Sequence, residues 1–330
     1  MIPQTTAFLN TRGGVGTTTL VYNLGHMMAH LGHRVLMVDL DPRGTLTAMC
    51  LPVVRQDEVW HRGWTHPDTI LGVVAPLLQG SGDIHPPHLE VLDEGLALVP
   101  GDLGLSLLEE ALAEAWSLPT GHADAARILL SFYRTIQAAA ACYDATTVLV
   151  DLGPGLGAVN RTALLSCRFL VSPITMDNFS IRGLQDLGTV LPRWRLHHQR
   201  LRGWSAGVGL APRENLPTPL GYVLVEDKVR GSGLLREYDL YEKGVEAQYH
   251  ESLLLDDERP ARGQADPWCL GVMRHYRTLM PLAQEARKPI FLLKAADGAM
   301  SAHLYAVQEA YKDFKQLATT IAQRANAQID

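Results

Sequence analysis

Arg12-Gly13-Gly14-Val15-Gly16-Thr17-Thr18-Thr19 lies between a strand-length apolar run, Thr5–Asn10, and a segment of helical period, Thr18–Leu31. Its glycines let the backbone turn N–H groups inward as an anion nest, and a helix starting at once behind them adds partial positive charge. A lone glycine-rich turn is weak evidence. Placed directly after a buried strand and opening a helix, it predicts a phosphate site.

Outward from this loop, short apolar runs alternate with helix-period segments, the pattern of a parallel sheet covered by helices. The further strand candidates are Arg34–Asp39, Leu96–Pro100, Thr147–Asp151, Phe169–Pro173, Leu220–Val225 and Pro289–Leu293. Several are almost wholly apolar, as suits central strands buried on both faces. Ala123–Ala140, Ile181–Leu191 and His303–Arg324 read as helices. In the last, Leu304, Val307, Tyr311, Phe314, Ala318 and Ile321 form one apolar stripe, expected to pack on the sheet. The expected architecture is a single α/β domain over 1–330, with a mostly parallel twisted sheet and helices on both faces. Segments 52–88, 203–219 and 231–280 are expected to be insertions, since stretches of this size are more often functional or partner-binding than mere connections.

With 330 residues, 47% hydrophobic and 19% charged, and a net charge of −6, the composition excludes disordered and fibrous classes and a generic polyanion binder. No apolar segment approaches the ~20 residues of a membrane span. The start of the chain shows no basic leader with an apolar core, and Cys50, Cys142, Cys167 and Cys269 have no metal or redox spacing. A cytoplasmic protein with reduced thiols is therefore expected. Among 29 basic residues only six are lysines, and the first is Lys228, so no chemistry before it uses an ammonium side chain.

The loop resembles the deviant Walker A segment of the ParA/MinD family of P-loop ATPases, KGGxGK[ST][ST]. The similarity continues through most of the chain: Asp39-Leu40-Asp41-Pro42-Arg43-Gly44 resembles the DxDPQG switch segment, and Leu98-Val99-Pro100-Gly101 the LPG strand end. Val148-Leu149-Val150-Asp151-Leu152-Gly153-Pro154 resembles the Walker B strand. Ser172-Pro173 with Phe179–Leu184, and Ala283–Ile290 before an expected last strand, follow the same pattern. The resemblance implies a P-loop NTPase domain that binds ATP or ADP with Mg2+. Arg12, Gly13, Gly14, Val15, Gly16, Thr17, Thr18 and Thr19 would hold the nucleotide. Thr18, Asp39 and Asp151 would hold the metal, and Arg12, Asp41 and Asp151 form the expected catalytic set, with Asp41 orienting the attacking water. A nucleotide-dependent homodimer is implied as well, with a protein adaptor or cargo as further partners.

Two departures matter. Arg12 stands where the family has its signature lysine, keeping a charge and gaining a planar fork of donors that could reach phosphate oxygens across a dimer interface. Thr17 stands where the family has its P-loop lysine and discards the charge. A lost charge-assisted hydrogen bond costs about 1.5–3 kcal/mol, whereas a fixed cation in phosphoryl transfer is worth on the order of 10³-fold or more. Two functions are thus in view: a dimerising partition or positioning switch with weak hydrolysis, or a non-hydrolysing, nucleotide-clamped scaffold subunit. The RGGVGTT form also resembles the loop of ParA-like accessory proteins of bacterial cellulose secretion.

Arg193, Arg195, His197, His198, Arg200 and Arg202, interleaved with Trp194 and Trp204, form the most basic short tract. It reads either as a solvated helix end entering a loop or, less readily, as a phosphate-tracking DNA patch. His26, His30 and His33 fall near one helix face, but no carboxylate joins them, so ordinary interface or surface histidines are expected. The loop after Val225, with Asp227 and Lys228, is where the base would be read.

Overall fold

The structure is a computed structural model, described here for residues 3–60, 66–118, 122–205, 216–226, 235–255, 265–274, 276, 278–300 and 302–328. In chain order the first half comprises β1 (Gln4–Phe8), α1 (Thr17–His30), β2 (Val35–Leu40), α2 (Thr45–Cys50), α3 (Val53–Trp60), α4 (Ile70–Leu78), β3 (Glu90–Asp93), β4 (Leu96–Val99), α5 (Leu108–Ser117), α6 (Ala123–Leu129) and α7 (Ser131–Tyr143). The second half comprises β5 (Thr147–Leu152), α8 (Ala158–Leu164), β6 (Phe169–Thr175), α9 (Asn178–Ser205), β7 (Thr218–Val225), α10 (Leu235–Tyr249), β8 (Cys269–Met273), α11 (Met280–Ala286) and α12 (Ala302–Ala327).

Period-2 alternation distributes the buried strand residues between two cores. Ala7, Leu36, Val38, Val148 and Val150 face helices α4 to α10, while Phe8, Val35, Met37 and Leu149 face α1, α2, α11 and α12. Each fully buried Leu or Phe contributes roughly 1.5–3 kcal/mol relative to exposure. The eight strands run in the order β3-β4-β2-β5-β1-β6-β7-β8, parallel except for the antiparallel edge pair β3–β4. Edge strand β3 alternates half-buried and exposed residues, whereas β2, β5 and β6 are buried throughout. Register then does the positioning: Asp39 of β2 lies opposite Asp151 of β5, and Asp151 lies opposite Phe8 of β1, so three strand ends meet behind the glycine-rich loop.

Four local expectations are corrected. Pro289–Leu293 is not a strand: Ile290–Leu292 forms a 3-10 turn, held by the Ile290 N–H donating to Oδ1 of Asn23 at 2.9 Å on α1. The last strand is instead β8, within the 231–280 stretch, where half-exposed Cys269 and Gly271 weaken the apolar signal. Ala123–Ala140 is two helices, broken at Leu130, whose φ of −98° and ψ of 5° leave the helical range. The helix expected at Ile181–Leu191 runs to Ser205, because Pro192 is exposed and costs one backbone hydrogen bond without stopping the segment. The basic tract therefore lies on the helix itself. Segment 52–88, read as having little periodicity, contains α3 and α4. No described helix is long and apolar enough to cross a membrane.

The histidines after the loop have packing partners. His26 meets the Tyr22 ring edge-on at 4.6 Å, His30 approaches the Tyr311 hydroxyl at 3.4 Å, and α1 ends before His33. Burial pushes His26 down to about 4, against a small opposing pull from Asp93. The unfolded chain thus binds the proton more readily than the native one, and stability is lost as pH falls from about 6.5 towards 4. Equilibrium urea unfolding should show wild type losing about 2–3 kcal/mol more over that window than His26→Phe. Parallel curves for the two proteins would refute a neutral, half-buried His26.

Candidate functional site

The loop leaves β1 at the carboxyl end of the sheet, where open α/β folds place their ligands. Gly14 and Gly16 have φ of 81° and 83°, a region that a side chain would strain, while Val15 is buried and anchors the turn. Gly16 is the N-cap of α1, and no side chain caps this terminus. The first-turn N–H groups of Thr17, Thr18 and Thr19 therefore face the loop, the arrangement that receives an anion.

Behind the loop lie three carboxylates, all essentially inaccessible to solvent. Asp39 accepts from the Thr47 N–H and hydroxyl at 2.8 and 2.7 Å and from the Asp41 N–H at 3.1 Å. Thr47 in turn accepts from the Gly101 N–H at 2.8 Å, and a Cβ on Gly101 would press to 2.7 Å from the Asp39 carboxyl carbon. Burial pushes the Asp39 carboxyl up to about 6, against the hydrogen bonds from Thr47. Asp41 is clamped by Arg43, whose Nε and Nη2 donate at 2.9 and 2.6 Å, and it lies where a Cβ on Gly153 would touch it at 2.8 Å.

Asp151 differs from both. Each of its carboxylate oxygens is buried without a hydrogen-bond partner. Burial, then the Asp39 charge, raise its pKa well above the carboxylate range, with Thr18 pulling the other way. A buried carboxylate with two open oxygens beside a threonine hydroxyl fits a hard oxygen-seeking cation such as Mg2+, and the uncapped α1 terminus fits the phosphates that accompany it.

The sequence-predicted residues thus converge in the main: Gly13 to Thr19, Asp39, Asp41 and Asp151 all lie at one end of three adjacent strands. The Arg12 side chain takes another direction. Its guanidinium pairs with Asp177 and donates to Thr175 Oγ1 at 3.2 Å, and it lies 5.4 Å from the Phe179 ring centroid. Asp177 also caps α9, accepting from the Phe179 and Ser180 N–H groups at 2.9 Å. Burial opposes its ionisation, but hydrogen bonds from Thr175 and Ser180 and the Arg12 charge hold its pKa below the usual range. Asp227 and Lys228 lie outside the described residues. A cavity of about 120 Å³ beside the loop is lined by Gly14, Gly16, Val225, Glu226, Met273 and Tyr276. Met273 and Tyr276 had no sequence signal, since only the pairing of β7 with β8 brings them to the loop.

A central strand, a glycine turn into an uncapped helix and a buried carboxylate on the neighbouring strand define a P-loop nucleotide-binding domain. The AAA_31 family model, described as an AAA domain, matches residues 3–200, and the chain belongs to this family, the ParA/MinD type of P-loop ATPase. Among its relatives, Soj of Bacillus subtilis, the sporulation initiation inhibitor protein, is 28% identical over 55% of this chain and 62% of its own length. The chromosome partitioning protein ParA of Caulobacter vibrioides is 29% identical over 57% and 62%. The chain thus matches under two thirds of each relative. Similar solved folds include a Corynebacterium diphtheriae protein, with a TM-score of 0.69 and 19% identity over 98% of this chain and 99% of that one. Another is an ATP complex of Cyanothece McdA, with a TM-score of 0.62 and 13% identity over 98% and 97%.

Proposed function

We propose that this protein is a ParA-like, ATP-binding, dimerising switch that partitions or positions DNA or a cargo complex, and that its hydrolysis is weak. The observation that carries nucleotide binding is the open Asp151 carboxylate behind an uncapped α1 terminus. The partitioning role is supported by the names of its relatives, Soj and ParA. Thr18 and Asp151 would hold Mg2+ directly, and Asp39, whose two oxygens already accept from Thr47 and the Asp41 N–H, would support the metal shell from behind and not as a direct ligand. Bound there, the metal supplies charge neutralisation at the transferring phosphoryl group. The loop N–H groups would orient the phosphates, and Asp41, held by Arg43, would orient the attacking water. Arg12 would turn from Asp177 towards phosphate oxygens when a second subunit closes on the site.

A second reading, a nucleotide-clamped scaffold without turnover, is favoured by one specific feature: Thr17 begins α1 where a cation on a long stem is expected. The two readings separate in a single experiment, titrating ATP and ADP with magnesium while following mass by light scattering and phosphate release. Turnover with ATP-dependent doubling of mass is the expected result. Binding and doubling without turnover leave the clamp, and no binding of either nucleotide refutes both. Arg12→Ala should weaken the dimer more than Thr17→Ala; the reverse order counts against a role for Arg12 across the interface.

A further inference from the structure

Arg193, His197 and Arg200 follow one another at i, i+4 and i+7 on α9 and share a face. Trp194, His198 and Leu201, each one residue further on, are buried, so the basic tract is not one continuous surface. Its cationic face looks onto α8, where the Arg161 guanidinium lies 3.6 Å from the ring centroid of Trp116 on α5 and donates to Nδ1 of His197. These groups and an apolar wall that includes the exposed Leu118 and the buried Leu129 and Leu201 line an open cleft of about 760 Å³. That is a volume typical of organic-ligand sites.

Its charge is one-sided. Among the described residues no carboxylate pairs with Arg161, Arg193 or Arg200, and Nε of Arg161 is buried without an acceptor. Burial and then Arg193 push Arg161 down to about 10, and burial followed by Arg161, Arg193 and Arg200 lowers His197. Since a guanidinium only donates, Nδ1 of His197 is the acceptor, which leaves its Nε2–H as a donor. Grouped cations without a counter-ion cost stability that an incoming anion relieves, and Arg forks favour planar carboxylates.

We propose that this cleft between α5, α6, α8 and α9 binds a short acidic peptide segment of a partner protein. A carboxylate engages Arg161, Arg193 and Arg200, and an adjacent apolar side chain packs on the Leu118–Leu129–Leu201 wall. The site is separate from the nucleotide loop and stands whether or not nucleotide turns over. Charge complementarity selects the carboxylate, and the apolar wall selects a peptide over a free inorganic anion. A DNA duplex fits less well, because Arg161 is recessed under Trp116, where a short extended carboxylate side chain reaches more readily than a duplex backbone.

The probe is a fluorescein-labelled peptide of alternating Glu-Leu and Asp-Leu pairs, added to the 330-residue chain without nucleotide and followed by anisotropy. Saturable binding is expected, weakened at least about tenfold by Arg161→Gln, by the double variant Arg193→Gln/Arg200→Gln, and by replacing the peptide's acids with Gln and Asn. Both residues of the double variant are exposed, so it preserves the fold and carries the test if Arg161→Gln does not. No saturation up to about 1 mM, equal affinity for the neutral peptide, or undiminished binding by the double variant overturns the proposal. Binding of a short DNA duplex that Arg161→Gln abolishes, with no peptide binding, assigns the cleft to nucleic acid and overturns it equally.

Discussion

Thr17→Lys is expected to raise ATP turnover by on the order of 10²-fold or more, because phosphoryl transfer depends on fixed cations around the leaving oxygens. The substitution suits the site. Thr17 is the first residue of α1, only partly buried, and directly follows Gly16 with its φ of 83°, so the loop backbone can keep its form while the long stem extends over the phosphates. Nucleotide affinity should rise less, by roughly 10- to 100-fold, which is the worth of one charge-assisted hydrogen bond. Single-turnover phosphate release at saturating ATP separates the two effects: a change in KM alone would mean that the lysine position governs binding and not chemistry. Unchanged turnover and unchanged affinity would sink the assignment of Thr17 to the phosphates.

Asp151→Asn should remove nearly all magnesium dependence from nucleotide binding. In wild type the magnesium titration and the chelator titration are expected to differ by at least about tenfold, as one charged oxygen ligand requires; in the variant they should coincide within about twofold. A second readout distinguishes this from simple damage. Asp151 is buried with both oxygens unpaired and lies in register with Asp39. Removing its charge should stabilise the nucleotide-free protein near neutral pH by about 1–2 kcal/mol, a rise of a few degrees in Tm. A variant that is less stable, yet still binds nucleotide in a magnesium-dependent way, would show that Asp151 is a structural acid.

Much of this architecture was legible in the residues themselves. Runs such as Val35–Leu40 and Thr147–Leu152 admit few readings other than central strands, and the glycines around Val15 require the turn they make. Asp151 could be singled out because the glycine-proline turn behind it ends a strand. What local pattern could not supply was context. Ile290 leaves the sheet because Asn23, 267 residues away in sequence, offers it an acceptor. Helix α9 continues past Pro192 because Trp194, His198 and Leu201 find burial beyond it. The Arg12 and Arg161 guanidinia are placed by aromatic rings and polar partners from distant segments, and no spacing rule anticipates such pairings.

The pairing of β1 with β5 has a consequence for the life of the chain. Phe8 and Asp151 are neighbours across the sheet but lie on opposite sides of a segment holding seven helices and three other strands. A ligand that bridges the Thr17–Thr19 turn and Asp151 therefore acts as a clasp on a very long loop, and it binds only chains in which that loop has closed. Nucleotide in the medium should draw newly made chains towards completion and protect β5 amides from solvent exchange well beyond the residues that touch it.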